Sequence, residues 1–233
     1  MNNRLKLFVF CSLLLSISFS SHSQVNPSSK NSIGIQTGYN RGLSILGNFT
    51  IYNIAEGLPG NIRFGIGYNQ LNPGNAADAR RIFINNATNG VPDKKGKSFD
   101  YRIDYMMPYN LFDLKDSYLV FGPRYSSFTA KFDYIGGNEK FTITSKQLGI
   151  GIGAESYFKM TSSLDLILAT GLDYFFNSTL DGHDTSYSPN NDNVNPRDDN
   201  QNDNVPFNYK DANKAIKQPQ FMPRIMVGVA YHL

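Results

Sequence analysis

The residues most able to do chemistry sit in three groups. The first surrounds His183, with Asp181, Asp184, Ser178 and Ser186 close in sequence. On paper this is a nucleophile, a base and an acid, the parts of a hydrolytic relay. The second is an Asn/Asp-rich stretch from Asn190 to Asn204. Carboxylates and amide oxygens at that density suit Ca²⁺, but the glycine and closing glutamate of an EF-hand loop are absent. The third is a set of charges recurring at alternate positions: Arg63, Asp100, Arg102, Asp104, Arg124, Glu155, Asp165, Asp173 and Arg224. Their signs nearly balance, so they suit one another better than they suit a charged ligand. No catalytic residue, metal site or cofactor is expected, and the Asn/Asp stretch reads as a mobile, solvated surface loop.

Composition narrows the classes further. The chain has 22 Lys and Arg, 19 Asp and Glu, and a formal charge of +3. No basic block points to nucleic acid. Cys11 is the single cysteine. It lies in the apolar run 7–19, behind Arg4 and Lys6 and ahead of Ser21-His22-Ser23-Gln24. That order is a secretory signal, with small residues at −3 and −1, so residues 1–23 are expected to be removed before Gln24. The mature chain then carries no thiol, and no disulfide can hold it. Residues 24–233 suit one domain or one closed barrel. No later apolar run is long enough to cross a bilayer as a helix, so any crossing must be made by strands.

The elements that would position those charges alternate with period two. Ile225, Val227, Val229, Tyr231 and Leu233 share one face, with Arg224, Met226, Gly228 and Ala230 on the other. Ile62, Phe64, Ile66 and Tyr68 oppose Arg63, Gly65 and Gly67, and Phe99, Tyr101, Ile103 and Tyr105 oppose Asp100, Arg102 and Asp104. Strands are expected at about 31–40, 43–53, 60–71, 98–109, 117–134, 140–158, 163–178 and 220–233. The apolar face is expected outward along each strand, toward lipid, and the glycine- and charge-rich face inward. Connections alternate in length, with long outer loops at about 72–97 and 179–219 and short turns at the other end. The expected fold is all-β: an eight-stranded antiparallel up-and-down transmembrane barrel with both termini on the periplasmic side.

This pattern resembles the small outer-membrane β-barrel proteins of Bacteroidetes, and is similar in architecture to the eight-stranded OmpA and OmpX barrels. The most specific match is the carboxyl end, Met226 to Leu233. There Gly228, Tyr231 and Leu233 look like the terminal signal read by the barrel-assembly machinery. Met226 and Leu233 depart from it, standing where a polar residue and a phenylalanine are more usual. The resemblance implies a cell outer-membrane protein, delivered by periplasmic chaperones, set in outer-membrane lipid and lipopolysaccharide, and monomeric. The closely spaced His, Ser and Asn motif of the lipid A deacylase barrels is not found.

An eight-stranded barrel has an interior about filled by side chains, so the nine charges above are expected to form an ion-pair network that plugs the lumen. The expected role is structural or surface-interacting. Transport of small or amphipathic solutes, porin-like, and lipid A acyl hydrolysis are the alternatives.

Overall fold

The structure, a computed structural model, describes residues 31–233 apart from 56, 85–89, 112, 113, 115, 138, 200, 201 and 203. Residues 1–23, read as a signal peptide, lie outside the described residues. Eight long strands form the wall: β1 Asn31–Asn40, β2 Leu43–Ile51, β3 Asn61–Leu71, β4 Val91–Pro108, β5 Ser117–Ile135, β6 Lys140–Lys159, β7 Leu164–Phe175 and β8 Phe221–His232. Each pairs antiparallel with the next in sequence. The last strand returns to the first, from Ser32 opposite His232 to Asn40 opposite Arg224. The sheet is therefore a closed ring of eight strands, the arrangement that satisfies ladder hydrogen bonds internally where all eight run side by side.

The ring turns outside-in relative to a soluble protein. Ile33, Ile35, Ile45, Phe64, Ile66, Tyr101, Ile103, Leu148, Ile150, Ile225 and Val227 are exposed on its outer surface. Charged and amide side chains fill its interior. An apolar belt of that extent is what hydrocarbon solvates and water does not.

Two departures from the sequence reading matter. Strand β4 begins at Val91, seven residues before the expected position. Residues 91–97 include proline, glycine and three lysines, which read as loop. They form strand because β5 runs alongside, pairing Val91 with Ile135 through Lys97 with Thr129. As a result β4, β5 and β6 are 18, 19 and 20 residues long, against 9 to 12 for the others. At about 3.4 Å per residue they project on the order of 20 Å beyond the rest of the ring.

The second departure is that the polarity of the two faces reverses along those projections. In the ring, β5 points Arg124 and Ser126 inward and Phe121 and Tyr125 outward. Above Ser126 the buried residues are Phe128, Ala130, Phe132 and Tyr134, and the outer ones are Ser127, Thr129, Lys131 and Asp133. On β6 the inward face switches between Ser145 and Ile143, with Ile143 and Phe141 buried beyond it. An apolar side chain thus faces outward only as far as the belt extends. Beyond it, water is outside, and the apolar residues turn in.

Candidate functional site: an ion-pair layer beneath a folded cap

Inside the ring, six contacts join seven of the charged residues into one cluster. Arg63 Nη2 lies 2.8 Å from Asp104 Oδ2, and its Nη1 pairs with Glu155. Arg124 bridges Asp104 at 2.6 Å and Asp173 at 2.9 Å. Asp173 also takes Arg224, and Arg102 at 3.4 Å. These side chains are 3% exposed or less. Asp100 is buried too, and it accepts from Asn69 Nδ2 at 2.5 Å, which links it to Ser98 and Asn40. With Asp100 included, four arginines face four carboxylates, so the layer is neutral. Charges removed from water must balance in this way, because a lone one is expensive to hold; Arg102 Nε and Nη1, Arg224 Nη2 and Asp100 Oδ1 are buried without a hydrogen-bond partner among the described residues.

Asp165 is placed elsewhere. Its carboxylate is 2.6 Å from His232 Nε2, close to where the chain enters and leaves the ring. It joins β7 to β8 near the seam rather than entering the layer.

Glycines make room for the guanidinium groups. A Cβ on Gly151 would come within 2.4 Å of Arg124 Nη2, and one on Gly153 or Gly171 within 2.9 Å of Arg224 Nη2. A Cβ on Gly65 would stand 2.7 Å from Arg102 Cγ. The glycine-rich inner faces of β3, β6 and β7 are the space those long side chains occupy.

Toward the end carrying the termini, Met106, Val120, Ile167, Met226 and Ala230 form a small apolar cluster with Leu46, Tyr157 and Ala169. At the opposite end a larger apolar core fills the space inside the projecting strands. Two helices supply it. Helix α1, Ala76–Phe83, is capped by Asn75, whose side chain accepts from Ala77 N; it buries Ala76, Ala79, Ile82 and Phe83. Helix α2, Tyr209–Ala215, starts with a capping box between Asn208 and Asp211 and buries Tyr209, Ala212 and Ala215. They meet where Asn75 N donates to Ala215 O at 2.9 Å. Gly74, with φ of 126°, has no space for a side chain there, since a Cβ would sit 2.0 Å from Ala215 O. Tyr134 donates to Ala76 O at 2.6 Å, and Tyr187 to Ile82 O at 2.9 Å.

The loop between β7 and β8, read as mobile, is therefore folded in its described part. Leu180, Tyr187, Phe207, Tyr209 and Ile216 are buried in the cap core on either side of the Asn/Asp run. The run itself makes turns: Asn191, Asn195 and Asn204 take positive φ, which Asn tolerates better than most residues. Gln218 latches the loop down. It accepts from Ser145 Oγ at 2.8 Å and donates to Tyr209 Oη and Asn213 Oδ1 at 2.7 Å each. Gln147 donates to Pro219 O at 2.6 Å. Polar residues at 145, 147 and 218 carried no distinguishing signal in sequence, because their role depends on which strands meet.

The hydrolytic arrangement around His183 is not assembled. His183 is exposed, and Asp184 turns to Arg197 at 2.8 Å. Partial desolvation pulls the Asp184 carboxyl up, but the Arg197 guanidinium and a hydrogen bond from Thr185 hold it below its ordinary value. Among the described residues no three His, Cys, Asp or Glu converge as a metal site would require.

The terminal residues Gly228, Tyr231 and Leu233 lie on and just beyond β8. Tyr231 and Leu233 are exposed in the outer belt. Gly228 pairs with Gln36, where a Cβ would come within 2.1 Å of Ile35 O. The seam alone requires glycine there.

The fold is that of a small outer-membrane β-barrel. The chain is similar to a major outer membrane protein from Thermus thermophilus, with a TM-score of 0.67 at 20% identity, over 88% of this chain and 100% of that one. It also aligns with Neisserial surface protein A (TM-score 0.36, 14% identity, 87% and 94% covered) and with Acinetobacter baumannii CarO (0.38, 13%, 91% and 100%). No protein-family model and no curated protein sequence matches it.

Proposed function

We propose that this protein is an outer-membrane barrel with a structural or surface-interaction role, closed to solutes along its axis. The observation that carries the reading is the neutral layer of four arginines and four carboxylates across a ring of eight strands, with an apolar cap above it. A ring of that size leaves an interior that side chains can fill, and here they do so with groups that are costly to separate. The exposed apolar belt supports a bilayer around the ring.

In this reading residues 1–23 direct export, periplasmic chaperones and the barrel-assembly machinery deliver the chain as a monomer, and Gly228, Tyr231 and Leu233 serve as the assembly signal. Short turns and both termini face the periplasm, and the cap faces outward. The cap carries the surface role, because it is built from the longest strands and loops.

Cell fractionation and planar-bilayer recording test it together. The mature protein is expected in the outer-membrane fraction, migrating differently in detergent gels before and after boiling, and giving no large steady conductance. Recovery as a detergent-free soluble protein, or a wide steady pore from the unmodified protein, overturns it.

A further inference from the structure

The outer wall of β4, β5 and β6 carries two features that meet at the top of the apolar belt. The first is a row of lysines. Lys97, Lys131 and Lys146 are exposed on the outward face just above Phe99 and Leu148. Lys97 pairs across the ladder with Thr129, two residues from Lys131, and Lys146 pairs with Ser127. The three lie on adjacent strands about 5 Å apart and are stepped along them: Lys131 stands about 7 Å beyond the level of Lys97 and about 14 Å beyond that of Lys146, within the combined reach of their side chains. Lys95 and Lys140, nearer the tips, are partnered by Asp93 at 3.0 Å and Asp133 at 3.6 Å. Lys97, Lys131 and Lys146 have no acidic partner among the described residues. Asp181, opposite Thr144, is a further acid at that level, so five lysines face three acids on this surface.

The second feature lies directly below. Gly47, Phe49, Phe64, Tyr101, Pro123 and Leu148 border an outward groove of about 620 Å³. It forms where Gly47 contributes no side chain to the belt and where the β4–β5 ladder skips from Arg102–Arg124 to Tyr105–Phe121 beside Pro123, which has no N–H to donate. Leu148 is one outward step, about 7 Å, below Lys146.

A cationic row over an apolar groove, at the level where the belt gives way to polar residues, is complementary to an amphiphile with an anionic head. The geometry points to a binding site for one phosphorylated acyl lipid of the outer leaflet, its phosphate on Lys97, Lys131 and Lys146 and a chain in the groove. Phosphate fits better than carboxylate because it accepts from several ammonium groups at once. This inference rests on the outward placement of the cap proposed above.

The test uses the full mature chain refolded into phosphatidylcholine nanodiscs containing a minor fraction of diphosphorylated lipid A. Native mass spectrometry after mild detergent release counts retained lipid. One lipid A per barrel is expected to remain. The triple variant Lys97→Gln, Lys131→Gln, Lys146→Gln is expected to lose at least fivefold of this occupancy, as is the wild type offered dephosphorylated lipid A. Gly47→Leu fills the groove in a position where nothing lies closer than 4.0 Å to an added Cβ, and is expected to reduce retention severalfold with the barrel intact. Millimolar inorganic phosphate is expected not to displace the lipid, because it lacks the chain. Equal retention by the triple variant, indifference to dephosphorylation, or displacement by free phosphate would each overturn the site. Heat-modifiable migration of each sample separates the two readings: a barrel that inserts but ignores the phosphate refutes only the lipid site, whereas one that does not insert refutes the membrane reading.

Discussion

Strands β5 and β6 build two cores with one rhythm. Below Ser126 the inward positions are arginine, carboxylate, serine and glycine, and the outward ones are apolar. Above it the inward positions are phenylalanine, alanine, tyrosine and isoleucine, and the outward ones carry lysine, threonine and aspartate. The backbone keeps the same pleat throughout, with Phe128 opposite Ser145 and Arg124 opposite Gly149 in one continuous register. What changes is the solvent outside. The lower core must be polar because the apolar side chains are spent on the belt, and it is held by charge pairing. The upper core is an ordinary hydrophobic one held by burial. The two halves should therefore fail in different ways.

The largest expected contrast comes from removing one group from each core. Asp173→Ala removes the carboxylate that Arg102, Arg124 and Arg224 share, leaving Arg124 with Asp104 alone, and Arg102 and Arg224 without an ion-pair partner among the described residues. Breaking a buried network in this way costs about 3–5 kcal/mol, read as a lower urea midpoint of the whole ring in lipid. Ile143→Ala removes a fully buried side chain from the cap and is expected to cost about 2–4 kcal/mol. Its signature differs: protease cuts within residues 179–219 while the boiled and unboiled gel bands stay separate. If both variants lower ring and cap stability together, the two cores are one cooperative unit and the contrast fails.

Placing the same charge on either side of the switch sharpens the comparison. Ile103→Lys puts an ammonium group in the belt and is expected to cost about 2–3 kcal/mol, whereas Thr129→Lys above the switch should cost less than about 1 kcal/mol. Equal costs in refolding titrations would mean that the boundary lies elsewhere on the wall.

The smallest effect belongs to the exposed Asp184–Arg197 pair in the cap loop. Asp184→Asn is expected to change cap stability by no more than about 0.5 kcal/mol at neutral pH, as exposed pairs do. Because the folded carboxyl titrates below its ordinary value, its contribution is present above the unfolded pKa of about 4 and is lost as pH falls through the folded one. The variant and the wild type should converge in proteolysis rate below that range.

How much of this was readable from the sequence differs by region for the same reason. The seam strand β8 was legible nearly to the residue, because Ile225, Val227 and Tyr231 alternate with Arg224, Met226 and Ala230 against a single environment. The inward charges were legible from parity, although Asp165 was grouped with residues it does not touch, since parity gives a face and not a height. Residues 91–97 were not legible. Proline, glycine and three lysines argue against a strand unless one knows that β5 extends beside it. The reversal of polarity was written in Ser127 to Tyr134, but a rule that every apolar residue faces lipid hides it. Helix α2 has seven residues, too few for periodicity to declare it, and the Asn/Asp run between Tyr187 and Phe207 masked the apolar anchors on either side.

The segment that completes the cap is spliced between β7 and the strand that closes the ring. Phe175, at the end of β7, and Met222, at the start of β8, both lie in the cap core, so the strand that pairs Asn40 with Arg224 also carries part of the cap. Register at the closing strand and packing of the cap are thus one mechanical unit: slipping β8 by one residue against β1 would turn Met222 out of the cap core as it turned Arg224 out of the ring.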